Sequence, residues 1–145
     1  MELEHEIAIR TAPEQVFARL IDWAGHPEWI EGLVASEALD GDVAVGQRFR
    51  QELQHGPLRI ELDGEVTELL HPTRLGFEAR ARDVVLDCRI ELSPVADGTR
   101  LRQRTEIKLE SFMLKMMASR VADELGTKQA ADLERLKAVL ESTSV

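Results

Sequence analysis

Polar side chains interrupt the apolar rows of several predicted strands, and their types suit them to orienting a bound molecule. They are His5, Gln51, Gln103 and Thr105, each with an apolar residue two positions away. In a strand every second side chain faces the same side, so we expect these polar groups to face the core. A few polar groups among apolar and small residues are typical of a small-molecule pocket. The alternative is that they lie near strand ends or satisfy one another.

The residue types that usually carry catalysis form no recognisable motif in this sequence. The four histidines show no metal-ligand spacing, and neither a Gly-x-Ser-x-Gly elbow nor a phosphate-binding glycine loop is present. Cys88 lies between Leu86 and Ile90 on an inward row, which favours a buried, unreactive thiol over a nucleophile. Catalytic residues therefore stay unknown, and no metal or other cofactor is predicted. A proton-transfer enzyme would have to rely on His5 or on an inward-facing carboxylate.

Alternating apolar and polar residues predict that most of the chain before residue 110 is β-structure. The predicted strands cover residues 2–10, 33–37, 48–53, 58–67, 75–81, 84–92 and 101–107. Short turns rich in glycine and proline separate them, which predicts an antiparallel meander with one face toward water. Gly64, in the middle of the longest strand, predicts a bulge or a strong bend.

Two short helical segments are predicted between the first two strands. Thr11 and Glu14 have capping-box spacing, and Pro13 suits a first helical turn, so a helix should run from about Pro13 to Asp22. The following segment contains Trp23 and Trp29 and is a turn or a second short helix. The two tryptophans either plug one end of a curved sheet or are exposed for a partner.

The end of the chain predicts one long helix from Ser111, as its N-cap, to about Glu141. Its apolar face carries residues at helical spacing, and Gln129 fills a gap in that face; the apolar residues are Met117, Val121, Leu125, Leu133, Leu136 and Leu140. Lys128 and Asp132 are assigned to the opposite, solvated face. Gly126 marks a bend or a close approach to the sheet. The first turns crowd together Phe112, Met113, Leu114, Met116 and Met117, as in a pliable cavity wall or lid, or in an ordinary core contact.

These elements predict an α+β fold in which a curved antiparallel sheet holds the long C-terminal helix, with a cavity between them. Small side chains such as Ala79 leave space on the inward rows, and the polar groups there orient a ligand. The residues expected to line the cavity are Phe49, Gln51, Leu62, Phe77, Ala79, Leu86, Cys88, Gln103, Thr105, Met113, Met117 and Val121.

Length and charge limit the classes of function. The 145 residues predict a single domain, 1–145, and the single cysteine excludes an internal disulfide and fits a reducing compartment. The formal net charge of −9 argues against nucleic acid as a partner. Neither a signal peptide nor an apolar run of membrane-spanning length is present, so no stable membrane insertion and a cytoplasmic location are predicted. Monomer and homodimer both remain open.

Four segments in the first third of the chain resemble one known family. They are Ala12-Pro13-Glu14-Gln15-Val16-Phe17, Leu20-Ile21-Asp22-Trp23, Pro27-Glu28-Trp29 and Val45-Gly46-Gln47-Arg48-Phe49. Together they are similar to the polyketide cyclase/dehydrase and lipid-transport family of the START-like, pollen-allergen-like superfamily. The resemblance implies a helix-grip fold: a seven-stranded antiparallel sheet around a C-terminal helix, two short helices after the first strand, and a hydrophobic cavity. It carries no catalytic residue onto this chain.

Three functions remain open at this point. The first is binding or carriage of a hydrophobic small molecule, such as a lipid, a quinone or a polyketide-like ring system. The second is a cyclase, aromatase or dehydratase in which His5, Gln103 or Thr105 aids proton movement. The third is a protein-interaction module of the chaperone-activator type that uses the methionine-rich helix start and the acidic surface. Fold alone does not choose among them.

Overall fold

The computed structural model describes residues 1–142, and in it the segments of alternating apolar and polar residues form strands. The last three residues of the predicted domain lie outside this range. The elements, in chain order, are β1 Glu2–Ile9, α1 Pro13–Leu20, a 3₁₀ helix Trp23–Glu28, β2 Leu33–Ala38, β3 Arg48–His55, β4 Leu58–Leu70, β5 Arg74–Ala81, β6 Val84–Val95, β7 Gly98–Leu109, α2 Phe112–Met116 and α3 Ala118–Ser142.

The seven strands make one antiparallel sheet in the order β1-β7-β6-β5-β4-β3-β2. Strands β2 to β7 follow one another as a meander, in which each strand pairs with the next one along the chain. Such connections can be short because the paired strands are antiparallel. β1 pairs instead with β7, so the first and second strands of the chain form the two edges of the sheet. The predicted seven-stranded helix-grip fold, with two short helical segments after the first strand, is confirmed.

One face of the sheet carries the apolar rows that the alternation predicts. At its centre the register places Phe77 opposite Cys88 and Ala79 opposite Leu86. α3 covers this face, but only its C-terminal half is deeply buried, through Leu133, Leu136 and Leu140 among other residues. Burial of these leucines anchors that half of the helix, each side chain contributing about 1.5–3 kcal/mol.

The long helix predicted from Ser111 to about Glu141 is broken at Met117 and not at Gly126, the position where an interruption was expected. Met117, with φ −101° and ψ 16°, leaves the helical conformation and separates α2 from α3. The predicted N-cap is correct, since Ser111 Oγ accepts a hydrogen bond of 3.1 Å from the Leu114 amide. Apolar spacing is helical on both sides of the break, so the pattern could not reveal it. Gly126 lies within α3, and a Cβ there would be 3.7 Å from Leu3 on β1.

Two local expectations also differ from the structure. The N-cap of α1 is Ala12, without a side-chain cap, and the carbonyl of Thr11 accepts a hydrogen bond of 2.7 Å from the Thr99 hydroxyl. The irregular register of β4 lies between Val66 and Glu68, not at Gly64. Gly64 has a different role, because a Cβ at this position would overlap the ring of Phe49.

Candidate ligand-binding cavity

A cavity of about 160 Å³ lies between the inner face of the sheet and α3. Its walls come from three parts of the chain. The helical segment after β1 contributes Leu20, Trp23, His26, Trp29 and Ile30; the sheet contributes Leu33, Gln51, Leu53, Leu62, Leu75, Phe77, Ala79, Leu86, Ile90 and Gln103; and α3 contributes Leu125, Lys128, Gln129, Asp132 and Leu133. Most of these side chains are apolar, so the cavity favours apolar matter over water.

The sheet supplies the lining residues that the sequence anticipated. Those that line the cavity are Gln51, Leu62, Phe77, Ala79, Leu86 and Gln103. Phe49, Cys88 and Thr105 are buried beside it without belonging to the lining. Phe49 stacks on Trp23 with ring centroids 4.2 Å apart, so it supports the wall from behind. Strand alternation finds the correct face, but it does not separate lining from supporting residues.

The residues predicted from the start of the C-terminal helix lie outside the lining. Met113 is 71% exposed and Met117 is 39% exposed, while Val121 is half-buried. For Met113 this follows from the break at Met117, which separates α2 from the helix that covers the sheet. Val121 lies in the first turn of α3, before the part of that helix that lines the cavity. Phe112 and Met116 are exposed as well, at 79% and 73%. The expected pliable wall is therefore an apolar surface on α2.

His26 is a buried wall residue with both ring nitrogens engaged. Its Nε2 lies 2.7 Å from the Leu20 carbonyl, and its Nδ1 lies 2.9 Å from Nε2 of Gln51. The carbonyl can only accept and the amide nitrogen can only donate, so Nε2 carries the proton and Nδ1 accepts. Burial lowers the pKa of His26 to about 4, because the charged ring would lose its hydration. At neutral pH the cavity wall is therefore uncharged here.

An aromatic cluster lines the cavity near His26. The Trp23 and Trp29 rings meet the imidazole edge-on, with ring centroids 4.8 and 5.2 Å away. Trp23 Nε1 donates to Gln47 Oε1 over 3.0 Å, and Gln47 in turn donates to the Gly41 carbonyl. Both tryptophans are buried, in keeping with the plug interpretation. The sequence analysis considered His26 only as a possible metal ligand and missed it as a wall residue.

Two glutamines reach the cavity from a polar network around Cys88. Gln103 Nε2 donates to Cys88 Sγ over 3.3 Å, and the Thr105 hydroxyl lies 3.8 Å from the same sulfur. Gln129 Nε2 donates to Thr105 Oγ1 over 3.1 Å and so connects α3 with the sheet. Burial raises the pKa of the Cys88 thiol to about 11, so it stays protonated and poorly nucleophilic at neutral pH.

An ionic cluster holds α3 against the loop before β2. Asp132 accepts from Lys128 Nζ at 2.6 Å, from Arg135 Nη1 at 2.9 Å and from the Glu31 amide at 3.1 Å. Arg135 also donates to the Trp29 carbonyl over 3.3 Å. The assignment of Lys128 and Asp132 to a solvated face is wrong, because Asp132 is buried and both residues line the cavity. Their i,i+4 spacing was the available signal.

Metal ligands and membrane-spanning helices are both absent from the described part of the chain. Within residues 1–142, histidine, cysteine, aspartate and glutamate side chains form no group of three or more placed to hold a metal ion. Over the same range, no helix is long and apolar enough to cross a membrane.

Comparison with known proteins identifies both a family and a fold. The model of a family described as "Polyketide cyclase / dehydrase and lipid transport" matches residues 1–141. No sequence among curated proteins matches the chain. Solved structures that share the fold include TTHA0849 from Thermus thermophilus, with TM-score 0.83, 16% identity and 100% of both chains covered.

Two other solved structures show the same fold. Protein CV1439 from Chromobacterium violaceum has TM-score 0.79 and 19% identity, over 97% of this chain and 96% of that one. Ara h 8.0201 has TM-score 0.80 and 12% identity, over 99% of each chain. At these identities the likeness concerns the fold alone.

Proposed function

This chain belongs to the polyketide cyclase / dehydrase and lipid transport family, and from that premise we propose that it binds an uncharged, largely apolar small molecule between the sheet and α3. The observation that carries the proposal is the cavity of about 160 Å³, most of whose walls are apolar. Apolar walls with a few fixed polar groups are the usual composition of a small-molecule site. Family and fold both suggest a hydrophobic ligand.

The charges around the cavity favour an uncharged ligand. Lys128 is a cation in the lining, and Asp132 already neutralises it at 2.6 Å. The low pKa of His26, about 4, keeps that ring neutral at physiological pH. A charged ligand would lose its hydration in the cavity and would have to compete with this internal ion pair.

The cyclase, aromatase or dehydratase alternative is not favoured. Proton transfer requires an acid or base in contact with the reacting molecule. His5 lies outside the cavity lining, and Thr105 is bonded to Gln129. Gln103 does line the cavity, but its amide is not an acid or base at ordinary pH. Asp132 is a carboxylate of the lining, and it already accepts three hydrogen bonds from other groups of the protein. These residues support a binding role better than a proton-transfer role.

Native mass spectrometry, followed by solvent extraction of the purified protein, tests the proposal. We expect a retained apolar molecule in the wild type and its loss in Ala79→Leu, which places a larger side chain in the cavity. Ala8→Leu is the matched control, because Ala8 is exposed on β1. Wild-type protein that carries no apolar molecule, and that binds none from a panel of apolar compounds, would contradict the proposal.

A second candidate function, contact with another protein, is favoured by α2. Phe112, Met113 and Met116 expose large apolar side chains on five residues of helix. Exposed apolar clusters often mark interaction sites. The first partner to test is a second copy of the chain, by sedimentation velocity over a range of concentrations. Association that Phe112→Ser with Met116→Ser abolishes would support this role, and monomeric sedimentation throughout would argue against self-association.

A further inference from the structure

Two residues of the cavity lining each contain a buried polar atom without a hydrogen-bond partner among the described residues. Within residues 1–142, the buried side-chain atoms without a hydrogen-bond partner are His5 Nε2, Trp29 Nε1 and Gln129 Oε1. Trp29, directly after the 3₁₀ helix, and Gln129, on α3, both line the cavity. Buried polar atoms in native proteins nearly always bond to protein, water or ligand. Trp29 Nε1 and Gln129 Oε1 are therefore available to a molecule or a water that enters the cavity.

The two atoms have opposite hydrogen-bonding character. The indole nitrogen of Trp29 can only donate. The amide of Gln129 is oriented by Thr105, since Gln129 Nε2 donates to Thr105 Oγ1 and the Thr105 hydroxyl is directed to Cys88 Sγ. Gln129 Oε1 is consequently left as an acceptor. A molecule that completes the site must accept a hydrogen bond and donate one, and a hydroxyl is the smallest group that does both.

The size of the cavity limits the rest of the molecule. Its volume is about 160 Å³, whereas an engineered apolar cavity of about 150 Å³ in another protein binds benzene. The rest of the cavity lining is mostly apolar, with Leu62, Phe77 and Leu86 on the sheet side. The space therefore suits one ring with a small substituent rather than a long acyl chain or a fused ring system.

We propose that the cavity takes a compact, uncharged ring compound with a hydroxyl group, of the phenol class. The hydroxyl accepts a hydrogen bond from Trp29 Nε1 and donates one to Gln129 Oε1. This inference rests on the proposed function, that the cavity binds apolar small molecules, and it specifies the ligand class. Without ligand, an ordered water is the natural occupant of the same two hydrogen bonds, and the ligand hydroxyl replaces it.

Isothermal titration calorimetry with p-cresol and p-xylene tests the inference, because the two molecules differ only by a hydroxyl in place of a methyl. Apolar burial alone would favour p-xylene. With both hydrogen bonds formed, we expect p-cresol to bind at least about tenfold more tightly. Gln129→Met, of similar shape but without the acceptor, should remove most of this preference and leave p-xylene binding nearly unchanged. Trp29→Phe, which removes the donor, should act similarly, and circular dichroism checks that both variants fold.

The outcomes separate this inference from the proposed function. If p-xylene binds as tightly as p-cresol, the hydroxyl assignment is overturned while apolar binding stands. A preference for p-cresol that survives both substitutions overturns the roles of Trp29 and Gln129. If neither ring binds but a longer apolar molecule is extracted from the protein, the size argument fails and the proposed function remains. If neither ring binds and nothing apolar is extracted, both proposals fail.

Discussion

Gln51 donates a hydrogen bond through Nε2 to His26 Nδ1 over 2.9 Å, which fixes a neutral imidazole in the cavity wall. The Gln51 amide also donates to Ser36 Oγ over 3.0 Å, so its orientation is held from β2. The other ring nitrogen of His26 is committed to the Leu20 carbonyl. A proton added at Nδ1 would face an N–H donor, and the charge would be buried.

His26 should therefore make the fold less stable in mild acid. Its pKa is about 4 in the folded protein against 6.5 for an unperturbed histidine, so only the unfolded chain gains a proton as the pH falls through this range. The stabilisation is complete above pH 6.5 and declines by about 3 kcal/mol on approaching pH 4. Urea denaturation at a series of pH values measures this loss.

The matched variants for this test are His26→Gln and His55→Gln. His55 is exposed at the end of β3, so its replacement should leave the pH profile of unfolding free energy close to that of the wild type. The stability advantage of the wild type over His26→Gln should shrink as the pH falls from 6.5 to 4. A constant difference across that range would show that His26 does not resist protonation in the fold.

Gly64→Ala should destabilise the protein by about 1–3 kcal/mol, because the added methyl would overlap the Phe49 ring. In a Phe49→Leu background the same change should be less unfavourable, since the overlapping ring is gone. Gly126→Ala provides the opposite control: its Cβ would be 3.7 Å from Leu3, so improved helix propensity should stabilise the fold by about 0.5–1 kcal/mol. Thermal and urea unfolding of the four variants check both signs.

Asp132→Ala should lower the free energy of unfolding by about 2 kcal/mol, because it leaves the Glu31 amide and two cations without their shared acceptor. Asp132→Asn should lose less, as its amide oxygen can still accept from the Glu31 amide. Glu124→Ala breaks an exposed pair with Arg120 and should change stability by less than about 0.5 kcal/mol. Equal effects of Asp132→Ala and Glu124→Ala in urea titrations would contradict the anchoring role.

Cys88 should resist thiol reagents while the protein is folded. The thiol is buried on β6, and burial raises its pKa to about 11. Labelling with a chromogenic disulfide reagent at pH 7.5 should therefore be slow in buffer and fast in denaturing urea. Labelling at the rate of a free thiol under native conditions would show that β6 opens locally at little free-energy cost.

The alternation of apolar and polar residues predicted most of the fold and most of the cavity wall that the sheet supplies. Alternation placed Phe77, Ala79, Leu86 and Gln103 on the inner face, because a period of two assigns every side chain to a face. It could not tell Cys88, which supports the wall, from its neighbours that form it. That distinction depends on where α3 lies above the sheet, and the periodicity of the sequence does not determine this position.

The helical side of the cavity was harder to predict. The helical spacing of apolar residues continues across Met117, so the sequence predicted Met113 as a lining residue although the helix is broken there. Asp132 looked solvated because it is charged, yet three donors from α3 and a distant loop compensate its burial. His26 was missed because its neighbours Gly25 and Pro27 indicate a turn, and a turn signal does not show that the side chain of His26 is buried. Long-range contacts decide each of these cases.

Because β1 pairs with β7, the sheet cannot be completed until synthesis of the chain is nearly finished. Ile9 finds its partner, Thr99, only after the whole meander has been synthesised. At about 5–20 residues per second, the first strand leaves the ribosome several seconds before the last one does. During that interval its alternating Leu3, Ile7 and Ile9 have no sheet to join. We expect charge repulsion among the glutamates of β1, which alternate with these apolar residues, to oppose association of growing chains during that interval.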